Sequence, residues 1–250
     1  MMKNLVETYS ECRGKYVALL EGDDYWTDPD KLQIQFDAME KHSDWALCFH
    51  RARYVSHDSS QVLGRGFDDI PPETTLDDLL EKYYITTLSI LFRRELIDRF
   101  PPWYVSLPMG DWPLTILLAR HGKIGYLERT MGDYRIHPGG MYSGASMRQR
   151  LNADATMYRH IRPILDRERA STVTRHIIRL STSVIACDVA ARDYAAARRE
   201  VLALYRTERL LPVTVSLLRG AVRRLTRPLV HKARMLMPRS LQRAVEGRTR

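Results

Sequence analysis

The sequence predicts an α/β domain followed by an all-helical extension, and three observations carry that prediction. Short apolar runs rich in β-formers alternate with helical periodicities as far as about residue 140, the pattern of a layered α/β domain. Past Met147 only helical periodicity remains. The charge divides at the same place. Residues 1–147 hold 16 Lys and Arg against 22 Asp and Glu, and residues 148–250 hold 23 against 8, which together return the net +9 of the chain. The predicted segments are therefore 1–146 and 147–250, the first acidic and the second strongly basic.

A hydrophobic content of 44% supplies enough apolar surface for a core and excludes a disordered chain. Cys12, Cys48 and Cys187 are far apart and form no paired spacing, so neither a disulfide framework nor a cysteine zinc site is expected, and a reducing compartment fits. The opening residues carry an early acid and no apolar h-region, unlike a signal peptide. No run approaches the roughly 18 apolar residues of a membrane span. The expected location is cytoplasmic, extending to a peripheral position on the inner face of the membrane.

Taken in order, residues 1–12 read as a short helix ending near Gly14, and Lys15–Leu20 as a buried strand. Asp28 before Pro29 predicts a helix start with proline at its first position. Leu32, Phe36 and Met39 then fall on one face of that helix. Trp45–His50 reads as a strand, and residues 56–73, with Gly64, Gly66, Pro71 and Pro72, as loop. Thr75 is placed to cap a helix through Leu76, Leu79 and Leu80. Leu88–Phe92 reads as a strand, Gly110–Arg120 as a helix, and Ile124–Leu127 and Gly132–Ile136 as two short strands. Beyond them lie helical patterns at about 148–168, 172–191, 193–206 and 213–226.

Three constellations carry chemistry. In Glu21-Gly22-Asp23-Asp24-Tyr25-Trp26, directly after a buried strand, three carboxylates crowd into four positions. Ligands bind at the C-terminal ends of strands in α/β folds, and oxygen donors of this kind suit Mg²⁺ or Mn²⁺ with phosphate oxygens completing the shell. The competing reading is a solvated acidic turn. Tyr25 and Trp26 beside the acids point to a planar or sugar-like ligand. Asp111, at the start of a helix, reads either as a cap or as a general base whose pKa the helix N-terminus lowers. Arg135 and His137 alternate along a strand and so share a face, where they suit phosphate and metal or phosphate respectively.

Together these runs resemble family 2 glycosyltransferases. Cys12–Pro29 resembles their metal-site region, Gly110-Asp111-Trp112-Pro113-Leu114 with Ala119–Tyr126 the segment that holds their catalytic acid, and Tyr134-Arg135-Ile136-His137-Pro138-Gly139-Gly140 their closing motif. The resemblance covers about residues 3–143. It implies a partial GT-A sheet with flanking helices and an inverting, metal-dependent transfer from a nucleotide-diphosphate sugar to a carbohydrate or lipid-linked acceptor. By the same resemblance Asp111 is the catalytic base and Asp23 the main Mg²⁺ or Mn²⁺ ligand, with Glu21 and His137 beside it. Asp24 and Arg135 belong on the donor diphosphate, and Trp26, Thr87, Ser89 and Trp112 on the acceptor side. Glu21 departs from the commoner aspartate of the motif. The V-S-V-I-I-P-T-Y-N strand with which such domains normally begin is not found, so an N-terminally truncated domain with an exposed apolar sheet edge is expected, one that binds sugar nucleotide weakly or not at all. The alternative to an enzyme is a non-catalytic remnant or interaction module that keeps the acidic site.

The basic extension carries a separate expectation. Over 213–229, Val213, Leu217, Ala221, Leu225 and Leu229 make an apolar stripe, while Arg219, Arg223, Arg224 and Arg227 occupy other faces. Such a helix suits an anionic membrane surface, at roughly 1 kcal/mol per basic residue. A packed appendage with a solvated arginine face is the other reading. Nucleic acid is the least favoured partner, since aromatics are sparse there.

Overall fold

A computed structural model of the chain describes residues 2–137, 139 and 144–208. These fall into two compact units, Met1–Ser146 with Thr156–Val173, and Met147–Ala155 with Thr174–Arg250. The chain thus crosses between units more than once, whereas the sequence placed a single boundary near residue 146.

In order, the α/β unit contains α1 (Met2–Glu11), β1 (Tyr16–Ala18), β2 (Tyr25–Trp26), α2 (Lys31–Lys41), β3 (Trp45–Ser56), β4 (Val62–Arg65), β5 (Glu73–Thr74), α3 (Leu76–Glu81), β6 (Leu91–Arg93), α4 (Asp111–Ala119) and β7 (Lys123–Ile136). The strands form one mixed sheet of order β1-β6-β3-β7-β2, with β4 on β3 and β5 on β7. Only β3 and β7 run parallel, in register from Trp45 opposite Lys123 to Ser56 opposite Ile136. That pair is the spine of the sheet. The first six residues of β3 are all buried, as expected of a strand covered on both faces.

The alternation of strand and helix was legible; several details were not. β7 is one strand where two were expected. Its middle residues, Glu128, Arg129 and Thr130, are exposed, which hides the strand from a hydrophobic pattern, yet pairing resumes across register shifts near Arg51. β2, β4 and β5 lie in stretches read as turn or loop. Helix α2 starts at Lys31, two residues later than Asp28–Pro29 predicts; the Asp28 carboxylate instead accepts the Asp30 N–H at 3.0 Å. Thr75 caps α3 as predicted, its N–H and hydroxyl both donating to Asp78 at 2.8 and 2.7 Å. The carbonyls at the end of α2 are met by Arg93, which donates to Met39 at 2.7 Å and His42 at 3.1 Å.

The largest correction is the face that α2 buries. Met39 is buried as expected, but Leu32 and Phe36 are 45% and 41% exposed while Lys31 and Gln35 are enclosed. Nearby, β1 forms one edge of the sheet, and Leu20 beyond it is 46% exposed.

One ion pair locks the spine. Arg53 on β3 stands opposite Asp133 on β7 and donates to both of its carboxylate oxygens, at 2.8 and 2.6 Å. Asp133 is fully buried, so removing the guanidinium leaves an uncompensated buried charge. Arg53→Met is expected to cost about 2–3 kcal/mol, read as a lower urea midpoint at unchanged m-value.

The residues of Thr156–Val173 that join the α/β unit end helix α5 (Met147–Ile161) and begin α6 (Arg167–Ala190). Pro163 replaces the expected continuous helix with a 3₁₀ turn at Arg162–Ile164. Asp166 then starts α6 early, accepting the Arg169 N–H at 3.0 Å. In the helical unit, α7 (Tyr194–Glu208) follows a turn at Arg192, which has φ 61°, and Asp193 caps it through the Ala196 N–H at 2.9 Å. Buried Asp188 of α6 is paired with Arg148. The helix expected at 213–226 and the amphipathic stripe of 213–229 lie outside the described residues. Among the described residues no helix is long and apolar enough to cross a membrane.

Candidate functional site

The site forms where β1 ends. A turn closed by the Asp24 N–H on the Glu21 carbonyl, at 3.2 Å, carries the chain from the sheet edge to β2. There Tyr25 and Trp26 pair antiparallel with Asp133 and Gly132. Gly132 permits this approach: a Cβ there would stand 2.4 Å from Leu88 and 3.2 Å from the Tyr25 carbonyl oxygen. The pairing brings residues 21–24 against the end of β7. The Arg135 N–H donates to Asp24 Oδ1 at 2.9 Å, the Arg135 side chain donates to the Asp23 carbonyl, and His137 Nε2 meets Asp23 Oδ2 at 2.9 Å. These contacts join residues 111–114 positions apart in sequence.

Asp111 enters from a third segment, as the first residue of α4. Thr87 Oγ1 donates to Asp111 Oδ2 at 3.1 Å, and the buried Tyr83 hydroxyl lies beside the same carboxylate. The carboxylates sense one another. Burial, then the charges of Asp111, Asp24 and Asp23, push Glu21 up to about 7. Burial pushes Asp24 to about 6, opposed by its bond from the Arg135 backbone. The His137 hydrogen bond holds Asp23 below the ordinary aspartate value. Tyr134, facing all four acids, is pushed by burial to about 12.

Asp111 departs from the sequence reading. The helix N-terminus was expected to lower its pKa, and the backbone N–H of Trp112 does act in that direction. Burial is larger, and the net shift is upward. The residue keeps an accessible edge, but its carboxylate is set deep among neighbouring atoms.

The structure therefore gathers Glu21, Asp23, Asp24, Asp111, Arg135, His137 and Thr87. It treats the remaining expected residues differently. Trp26 is half-buried, its indole N–H on the Leu88 carbonyl at 2.9 Å. Trp112 donates to the Leu79 carbonyl at 3.2 Å and stacks on Tyr83, a bracing role between α4 and α3. Ser89 is completely buried with its hydroxyl on the Thr86 carbonyl at 2.6 Å; it shapes a 3₁₀ turn at Thr87–Ser89, where a strand was expected, and presents nothing to a ligand. Tyr83, Tyr134, Lys31 and Gln35 were missed, because nothing in their spacing separates them from core or surface residues.

Hard divalent cations take oxygen donors, and the cluster is made of them. Asp23 is about half exposed, Glu21 is crowded by like charges, and Asp24 Oδ2 is buried without a hydrogen-bond partner. The ligand atoms of Glu21, Asp23 and His137 do not all lie within 4.8 Å of one another; among the described residues the one triad that meets this spacing is His42, Asp44 and Glu73. Mg²⁺ commonly takes one or two carboxylates with substrate phosphates and water completing its shell. The His42 triad is already served by Lys123, at 2.9 Å from both Asp44 and Glu73.

No family model matches the chain. It is 35% identical over 151 residues to the uncharacterized protein Rv1520 of Mycobacterium tuberculosis and, to the same degree, to the uncharacterized protein Mb1547 of Mycobacterium bovis. The alignment covers 57% of this chain and 40% of each relative, so the chain spans about two fifths of the length of the curated relatives it matches. These relatives supply kinship without an assigned activity.

Proposed function

We propose that the α/β unit is a GT-A glycosyltransferase domain that transfers a sugar from a nucleotide-diphosphate donor to an acceptor hydroxyl with inversion. One observation supports this above the others: three segments far apart in sequence meet as a carboxylate cluster, with Asp23 half exposed, Asp111 deep, and Arg135 and His137 opposite. A solvated acidic turn would not leave Glu21 at about 7 or bury Asp24.

In this reading Asp111 accepts the proton of the acceptor hydroxyl as that oxygen attacks the anomeric carbon and the bond to the diphosphate breaks. Its raised pKa brings it nearer the range in which a carboxylate serves as base at neutral pH. Thr87 fixes the orientation of its carboxylate. Asp23, with Glu21 alongside, would hold a Mg²⁺ or Mn²⁺ ion, which supplies charge neutralisation at the departing diphosphate when bound. Arg135 and His137 hold the Asp23 loop, and the Arg135 guanidinium places positive charge beside the same position.

The experiment is release of nucleoside diphosphate from a panel of sugar nucleotides by the purified chain with Mn²⁺ or Mg²⁺. Against the weak donor binding that the sequence alone predicts, turnover is expected with at least one donor, and Asp23→Ala should lower it about 100-fold. No release from any donor would overturn the reading.

A further inference from the structure

We propose that Lys31 and Gln35 are positioning residues that hold two segments next to the candidate site, the Trp26 ring and the Thr87–Ser89 turn. The functional part of this rests on the glycosyl-transfer reading; the structural part does not.

The observation that demands explanation is the orientation of α2. Lys31 is 1% exposed and Gln35 is fully buried, while their neighbours Leu32 and Phe36 face outward. A rotation of about one residue would bury the two apolar side chains and release the two polar ones. Enclosing an ammonium is costly, and Lys31 Nζ has no hydrogen-bond partner to offset that cost. What it does have is the face of Trp26, 4.0 Å from the ring centroid, a favourable contact for a desolvated cation. Burial lowers Lys31 only to about 8, so it remains largely cationic at neutral pH.

Gln35, one turn further along the same face, donates to the Ser89 carbonyl at 2.8 Å. Trp26 donates to the adjacent Leu88 carbonyl at 2.9 Å. The contacts therefore close a circuit: α2 holds Trp26 through Lys31, Trp26 holds the turn at Leu88, and the turn is held to α2 at Ser89. Thr87, inside that turn, is the residue whose hydroxyl orients Asp111. Neither Lys31 nor Gln35 touches the carboxylate cluster. Their effect passes through Trp26 and Thr87, where small displacements of a reacting group are expensive in rate.

The test compares Lys31→Met, Lys31→Arg and Gln35→Met in the full chain. Lys31→Met removes a buried charge at similar volume and should melt at an equal or higher temperature, while diphosphate release falls about tenfold. Lys31→Arg restores a cation to the ring and should recover turnover to within about threefold of wild type. Gln35→Met should lower turnover similarly and speed hydrogen exchange of residues 86–91 about tenfold, with α3 unchanged. Wild-type turnover in Lys31→Met and Gln35→Met, or no recovery in Lys31→Arg, would overturn the proposal. If the wild-type protein turns over no donor, the function reading fails separately. Positioning is then decided by the 5-fluorotryptophan resonance of Trp26 in Lys31→Met and by exchange at 86–91 in Gln35→Met. Selective changes at those places support it, and their absence overturns it.

Discussion

Replacing Asp111 with asparagine is expected to reduce sugar transfer by about 10²–10⁴-fold, the usual contribution of a general base, with little change in KM for the donor. The substitution separates two roles that the position of Asp111 would otherwise confuse. As the first residue of α4 the carboxylate stands where an anion favours a helix N-terminus, and a purely structural aspartate could be kept for that reason. Asparagine keeps the size of aspartate and can accept the Thr87 hydroxyl through its amide oxygen, but it cannot take a proton from an acceptor. A structural Asp111 therefore predicts wild-type turnover in Asp111→Asn. Folding should not suffer. Burial raises the Asp111 pKa against the pull of the helix backbone and Thr87, so the charge is a net burden on the folded state at neutral pH, and its removal should leave the melting temperature equal or higher. Transfer within threefold of wild type would remove Asp111 from the chemistry. Loss of transfer together with loss of the fold would point to bracing, which circular dichroism would reveal.

How much of this arrangement was legible in the sequence depends on what each segment uses to hold itself in place. Local signals served well where local physics decides the outcome. Thr75 capping α3 and the apolar run of β3 are examples, since a cap and a two-sided buried strand are written in a few neighbouring residues. The acidic turn and the Arg135–His137 pair were visible as candidates because crowded carboxylates and alternation along a strand are sequence properties. Their meeting was not visible: it depends on β2, two residues long, pairing with β7 beside a glycine that lets the chains approach. Helix α2 is the sharpest failure. Its periodicity correctly announced a helix and buried Met39, but pointed Leu32 and Phe36 inward, where the fold places Lys31 and Gln35. Hydrophobic pattern assumes that burial of apolar area decides a helix's rotation. Here Lys31 lies over the Trp26 ring and Gln35 bonds the Ser89 carbonyl, and neither contact has a periodic signature. The pKa of Asp111 failed for a related reason: the helix terminus could be read from the sequence, whereas the depth of the carboxylate is set by residues from other segments.

The same competition between site and stability makes a pH-resolved prediction at Glu21. In the folded chain its carboxyl is pushed from the ordinary value of 4.5 to about 7 by burial and by the charges of Asp111, Asp24 and Asp23. The folded state therefore binds this proton more tightly than the unfolded chain does. The stability this contributes is complete below about pH 4.5 and is lost as pH rises through about 7. Glu21→Gln removes the titration while keeping the shape. With metal chelated, the variant should match wild type near pH 4.5, overtake it through pH 5–7, and exceed it by on the order of 2–3 kcal/mol at pH 8. At this chain length that corresponds to about 5–10 °C in Tm. Asp24, pushed to about 6, titrates in an overlapping range, and relief from the Glu21 charge eases its ionisation and adds to the difference. A stabilisation of equal size at pH 5 and pH 8 would show that packing, not charge, separates the two proteins. Added Mn²⁺ should narrow the gap at pH 8, because a ligand that binds the folded acidic cluster stabilises wild type more than the variant. A cluster whose repulsion lowers stability when empty and is relieved by a cation behaves as a binding site. An acidic turn of no function would show neither the pH window nor the cation dependence.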